Sequence, residues 1–79
     1  MSPKDLLQMR ALIEAVLKRY PDPPLSIIEL VDAPGLDLML AEGQGMNQNI
    51  ILALIGIANM FGAEFSMSHL KEGIEIQIY

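Results

Sequence analysis

The chain has no cysteine, only five cations and a single histidine, and no catalytic motif. Each absence removes a class of protein. Without cysteine there is no disulfide framework, and the redox compartment stays open. One histidine with no cysteine argues against a zinc site. Lys4, Arg10, Lys18, Arg19 and Lys71 form no basic stripe in a chain of net charge −5. A nucleic-acid partner is therefore not expected, and an anionic membrane surface is disfavoured for the same reason. No segment reaches the roughly 18–20 apolar residues of a transmembrane helix, so direct membrane insertion is not expected of this segment. The opening MSPKDLL reads as a helix start rather than a secretory leader.

What is present is apolar. Of 79 residues, 52% are hydrophobic, and mean hydropathy is +0.37. A chain of this length makes one small domain, spanning 1–79, with a thin stability margin from its own core. Little charged surface remains to cover the apolar side chains. A self-associating subunit and a domain of a larger membrane-linked assembly both account for this, and both predict a protein-protein interface.

The same unit occurs twice, roughly over 3–41 and 46–79. Ala11-Leu12-Ile13 matches Ala53-Leu54-Ile55, Leu25-Ser26 matches Phe65-Ser66, and Gly35-Leu36-Asp37-Leu38 matches Gly73-Ile74-Glu75-Ile76. Each unit reads helix, strand, turn, strand, so the order is α-β-β-α-β-β. Ser2, Pro3 and Asp5 form a helix entrance. Leu6, Met9, Ile13, Val16, Leu17 and Tyr20 recur at helical spacing and predict a helix over 3–20, which Pro21, Pro23 and Pro24 stop. LSIIELVD reads as a strand, Ala33-Pro34-Gly35 as a turn, and Leu36, Leu38 and Leu40 as the buried face of the next strand. Asn47 caps a second helix over 49–61 that Gly62 ends. A strand around Phe65 and Met67, a turn at Lys71-Glu72-Gly73 and a strand with Ile74, Ile76 and Ile78 inward complete the chain. The expected fold is an α+β two-layer sandwich of permuted ferredoxin-like topology, with two helices on one face of a four-stranded antiparallel sheet. The other sheet face, with Asp37, Met39, Glu75, Gln77 and Tyr79, has no covering element.

The second helix carries the interaction signal. Leu54, Ile57, Ala58 and Phe61 fill its sheet-facing stripe, leaving Ile51, Leu52 and Ile55 on the flanks; a helix apolar nearly all round is usually covered on more than one side. Gly56 sits mid-helix, where it costs roughly 1 kcal/mol relative to alanine and admits a second backbone. The competing account packs Ile51 and Ile55 under the first helix. Ile51, Ile55, Gly56 and Met39 are the expected interface residues. Met60 and Met67 are read as core filling.

Other constellations read as structure rather than chemistry. Gly43-Gln44-Gly45 lacks the lysine and Ser/Thr of a phosphate loop and reads as a connector. Asp32, Asp37 and Glu42 match no calcium-loop spacing and read as solvated hairpin charges. His69 beside Ser66 and Ser68 lacks an orienting acid and an oxyanion hole, and reads as a partly exposed strand-end residue. No cofactor and no enzymatic activity are expected.

The α-β-β-α-β-β order, with residues 53–61 followed by GAEFSMSHLKEGIEIQIY, resembles the periplasmic domains of the inner-membrane assembly-platform proteins of bacterial type II secretion, the L and M families. That resemblance implies a periplasmic domain of an inner-membrane protein, its membrane helix outside this stretch. It also implies a homodimer or a pairing with a related ferredoxin-like domain. IGIANMFGAEFSMSHLKEGIEIQIY is also similar to the closing helix-strand-strand of histidine-kinase-like ATPase domains, but the asparagine and aspartate boxes are lacking. The alternative function is a free-standing cytoplasmic regulatory domain binding a small ligand between sheet and helices.

Overall fold

The computed structural model describes residues 2–21, 25–30, 35–41, 45 and 47–79. Its elements are α1 (Pro3–Arg19), β1 (Leu25–Glu29), β2 (Leu36–Ala41), α2 (Gln48–Met60), β3 (Phe65–Leu70) and β4 (Gly73–Ile78). Most of the turn over 31–34 and the link over 42–46, with Asp32 and Glu42, lie outside the described residues.

Each helix begins and ends for a local reason. The Ser2 hydroxyl accepts from the Asp5 amide at 3.1 Å, Pro3 takes the first helical position, and Lys18 and Arg19 sit in the last turn against the negative end of the helix dipole. Asn47 Oδ1 accepts from the Asn49 amide at 2.8 Å and opens α2. At the far end Gly62 adopts φ +64. The Ala63 amide then donates to the Ala58 carbonyl at 2.8 Å and the Gly62 amide to the Asn59 carbonyl at 3.2 Å. That pair of bonds is the Schellman closure, and it needs a left-handed residue at Gly62.

The four strands form one antiparallel sheet in the order β1-β2-β4-β3. Leu38 pairs with Ile76 at the centre of the β2–β4 ladder. The repeat maps Leu38 onto Ile76 as well, so an approximate two-fold axis passes between them and relates the two units. Alternation does the rest. Leu36, Leu38, Leu40, Ile76 and Ile78 are fully buried, together with Met9 and Ile13 of α1 and Ile50 and Leu54 of α2. One core cluster joins both helices to this sheet face. The protein is thus α+β with both helices on the same side.

Burial corrects the repeat alignment along the helices. Leu12 is 40% exposed and Leu54 fully buried, so they are not equivalents. The buried positions match at an offset of 41 residues (Met9 to Ile50, Ile13 to Leu54, Val16 to Ile57), not 42. The methionine expectation is also corrected. Met60 is 69% and Met67 50% exposed, so neither fills the core. Met60 lies on the outward side of α2, and Met67 sits on edge strand β3. The first strand is shorter than expected, ending at Glu29.

Gly35 is held by close packing. A Cβ there would meet the Ile78 carbonyl oxygen and Leu30 Cδ1 at 2.8 Å, and Tyr79 Cβ at 2.9 Å. Its repeat counterpart Gly73 has φ 141. The two glycines that mark the repeat therefore answer to different constraints, steric at one and conformational at the other.

Candidate functional site

Among the described residues, two surfaces of this fold have no covering element. The first is the outward side of α2. Ile50, Leu54, Ile57 and Ala58 face the core, so helical periodicity turns Gln48, Asn49, Leu52, Gly56 and Asn59 outward. Leu52 is 59% exposed. No ionisable residue occurs anywhere in residues 43–63. Gly56 has neither a positive φ nor any atom within 4 Å of the position its Cβ would take. Among the described residues nothing outside its own helix backbone requires a glycine there.

The flank of α2 is best understood against its symmetry mate. In the first unit Arg10 donates to Glu14 and to Glu29, both at 2.9 Å, and ties α1 to edge strand β1. At the same offset of 41 the counterparts of Arg10 and Glu14 are Ile51 and Ile55, both half-buried and outside the buried core. Glu29 and Ile27 correspond to His69 and Met67. Where the first half carries a charged clamp, the second carries Ile51, Ile55 and Met67 beside an exposed histidine. Ile51 and Ile55 thus occupy the α2 positions that correspond to the clamp residues of α1, and β3, the strand corresponding to β1, presents an edge free of Lys or Pro.

The second surface is the sheet face away from the helices. Reading across β1-β2-β4-β3, one row is Ile28, Asp37, Gln77 and Ser66, and the next is Ser26, Met39, Glu75 and Ser68. Ile28 is 61% exposed. Met39 belongs here, half-buried. The four expected interface residues therefore separate: Ile51, Ile55 and Gly56 lie on the α2 side, and Met39 lies on the opposite face of the sheet. Asp37 is not a freely solvated hairpin charge, because its Oδ1 is out of water and accepts from no donor among the described residues. Sequence reasoning missed the relation of Asp37 to Glu75, although the Gly35–Leu38 and Gly73–Ile76 match already paired them.

Ser68 and His69 are consecutive strand residues and point to opposite faces. They do not form a hydrogen-bonded nucleophile and base. Among the described residues no three His, Asp or Glu side chains converge, and no helix is long and apolar enough to cross a membrane. No protein-family model matches the chain, and no curated protein matches it.

Proposed function

We propose that the chain is a non-enzymatic protein-protein interaction module, of the dimerisation or assembly kind, built on a circularly permuted ferredoxin-like fold. Moving the first strand of β-α-β-β-α-β to the end yields α-β-β-α-β-β. The strand order β1-β2-β4-β3 supports that reading.

The observation that carries the interaction reading is the outer side of α2. It offers Leu52, Gly56 and Met60 at four-residue spacing on a helix without a charge, and among the described residues no packing contact calls for the glycine. A bare glycine between larger apolar residues lets a second helix approach closely. The partner is a second copy or a related ferredoxin-like domain. Charge favours this side for a second copy. The chain carries a net −5, the open sheet face holds Asp37 and Glu75, and the outward side of α1 holds Lys4, Lys18 and Arg19. Of these three faces, the outward side of α2 is the one on which two copies meet without like charges opposed. Ile51, Ile55 and Gly56 are assigned to this contact, and Met39 to the separate sheet face.

The element order and this apolar helix also support a place among the periplasmic domains of type II secretion inner-membrane platforms. Sedimentation equilibrium over a wide concentration range tests the module. A dimer at low micromolar concentration that Leu52→Asp dissociates, with its circular dichroism unchanged, is the expected result. A monomer throughout, with no related domain binding in titration, overturns it.

A further inference from the structure

The two-fold axis sets Asp37 of β2 and Glu75 of β4 on either side of itself, each the repeat counterpart of the other. Asp37 stands opposite Gln77, and Glu75 opposite Met39, on the same uncovered face. The two carboxyls are thus diagonal neighbours across the β2–β4 ladder, within side-chain reach. Like charges so placed destabilise a sheet, and a carboxylate oxygen out of water without a donor is costly. Asp37 Oδ1 is such an oxygen.

No cation on this face offsets the pair among the described residues. The flanking strands bring Ser26 and Ile28 from β1, and Ser66 and Ser68 from β3. Farther along the same face Glu64 and Tyr79 lie at one end, joined by backbone bonds of 3.1 and 3.2 Å. The turn residues Lys71 and Glu72 lie at the other end. Arg10, Glu29 and His69 belong to the helix side.

We propose that Asp37 and Glu75 share a single proton across the β2–β4 seam, making the join between the two halves tighten as pH falls and loosen as it rises. The donor that Asp37 Oδ1 lacks is then the hydroxyl of neutral Glu75. One O–H···O⁻ bond replaces the repulsion of two carboxylates, and charge-assisted bonds of this type are among the stronger ones. The hydrogen bond to Asp37, then desolvation, then the Asp37 charge all hold the Glu75 carboxyl above its ordinary value. A raised folded-state value means that the folded chain keeps a proton the unfolded chain has lost. The stabilisation is present at acidic pH and is lost as pH rises through the raised value. The seam matters because, among the described residues, β2–β4 is the one strand pairing between the two units.

This inference is independent of the interaction reading and is tested on the chain itself. Side-chain carboxyl NMR across a pH titration follows Glu75 in the wild type and in Asp37→Asn. Urea unfolding of the wild type, Asp37→Asn and Glu75→Gln is measured from about pH 4 to about pH 7. Glu75 is expected to titrate above the ordinary glutamate value of about 4.3 and to fall toward it in Asp37→Asn. Glu75→Gln is expected to unfold at a higher urea concentration than the wild type at neutral pH. A Glu75 that titrates at or below the ordinary value, or that ignores Asp37→Asn, overturns the proposal. So does a Glu75→Gln chain less stable than the wild type at neutral pH, since the isosteric amide removes the charge and supplies an N–H donor to the Asp37 carboxylate.

Discussion

Gly56→Ala separates what the chain needs from what a partner needs. The residue lies in the middle of α2, exposed, with a helical φ and with no atom within 4 Å of the added methyl. No steric or conformational cost opposes the substitution. The full helix-propensity gain remains, about 0.8–1 kcal/mol. In a domain of this size that raises Tm by about 4–8 °C, or the urea midpoint by roughly 0.5–1 M. The measurement is urea unfolding at a protein concentration too low for association, with the slope unchanged. The same variant, and the larger Gly56→Leu, are then followed by sedimentation equilibrium. If a second backbone approaches at Gly56, Gly56→Ala stabilises the monomer while weakening the dimer, and Gly56→Leu abolishes the dimer. Stability and association moving in opposite directions is the signature. A Gly56→Ala chain no more stable than the wild type refutes the placement of Gly56 on a free helical face. A dimer indifferent to Gly56→Leu removes this side of α2 from the contact.

Three further substitutions test other parts of the fold. Gly35→Ala drives a methyl to 2.8 Å from the Ile78 carbonyl and is expected to cost about 1–3 kcal/mol, read as a lower urea midpoint. Gly62→Ala meets no atom but forces alanine to φ +64, and a loss of about 1 kcal/mol is expected in the same assay. Ile55→Asp changes a half-buried residue outside the core cluster; it is expected to leave the circular dichroism intact and weaken association, and undiminished association would exclude this flank.

The parts of this structure that sequence reaches are those decided within a few residues. Ser2, Pro3, Asn47 and Gly62 set the helix ends through bonds to their near neighbours. The stripe from Leu6 to Tyr20 and the alternation through Ile74, Ile76 and Ile78 follow from periodicity alone. The repeat read from residue identity does not carry the helical phase. Matching Ala11-Leu12-Ile13 to Ala53-Leu54-Ile55 follows residue identity, whereas packing follows the angle around the helix. One residue of slip turns that angle by about 100° and puts exposed Leu12 in the place of buried Leu54. Met60 and Met67 show the same limit, since methionine is accepted in a core and on a surface, and its type does not decide between them. On the site, the surplus of Ile51 and Ile55 on α2 could be counted from the sequence. That Met39 lies on the other side of the sheet followed from its alternation with Leu38 and Leu40. The Asp37–Glu75 relation required the pairing of β2 with β4, two strands separated by an entire helix. No local pattern supplies that register.

The asymmetry between the two units bears on the side proposed for the partner. The exposed Arg10–Glu14–Glu29 clamp contributes little to stability, since surface ion pairs are each worth about 0–1 kcal/mol. Its replacement in the second unit by Ile51, Ile55 and His69 therefore costs the fold little. Its effect is on the surface. A clamp of three charges holds water at the β1 edge, and any partner there would have to desolvate it. In the second unit the corresponding helix positions present two half-buried isoleucines, and covering them returns about 25 cal/mol per Å² of apolar area. Two halves that share a backbone plan thus differ in what they offer to solvent. A structural duplication alone would predict equivalent flanks. The proposed interface in the second half accounts for the difference seen at Arg10 and Ile51.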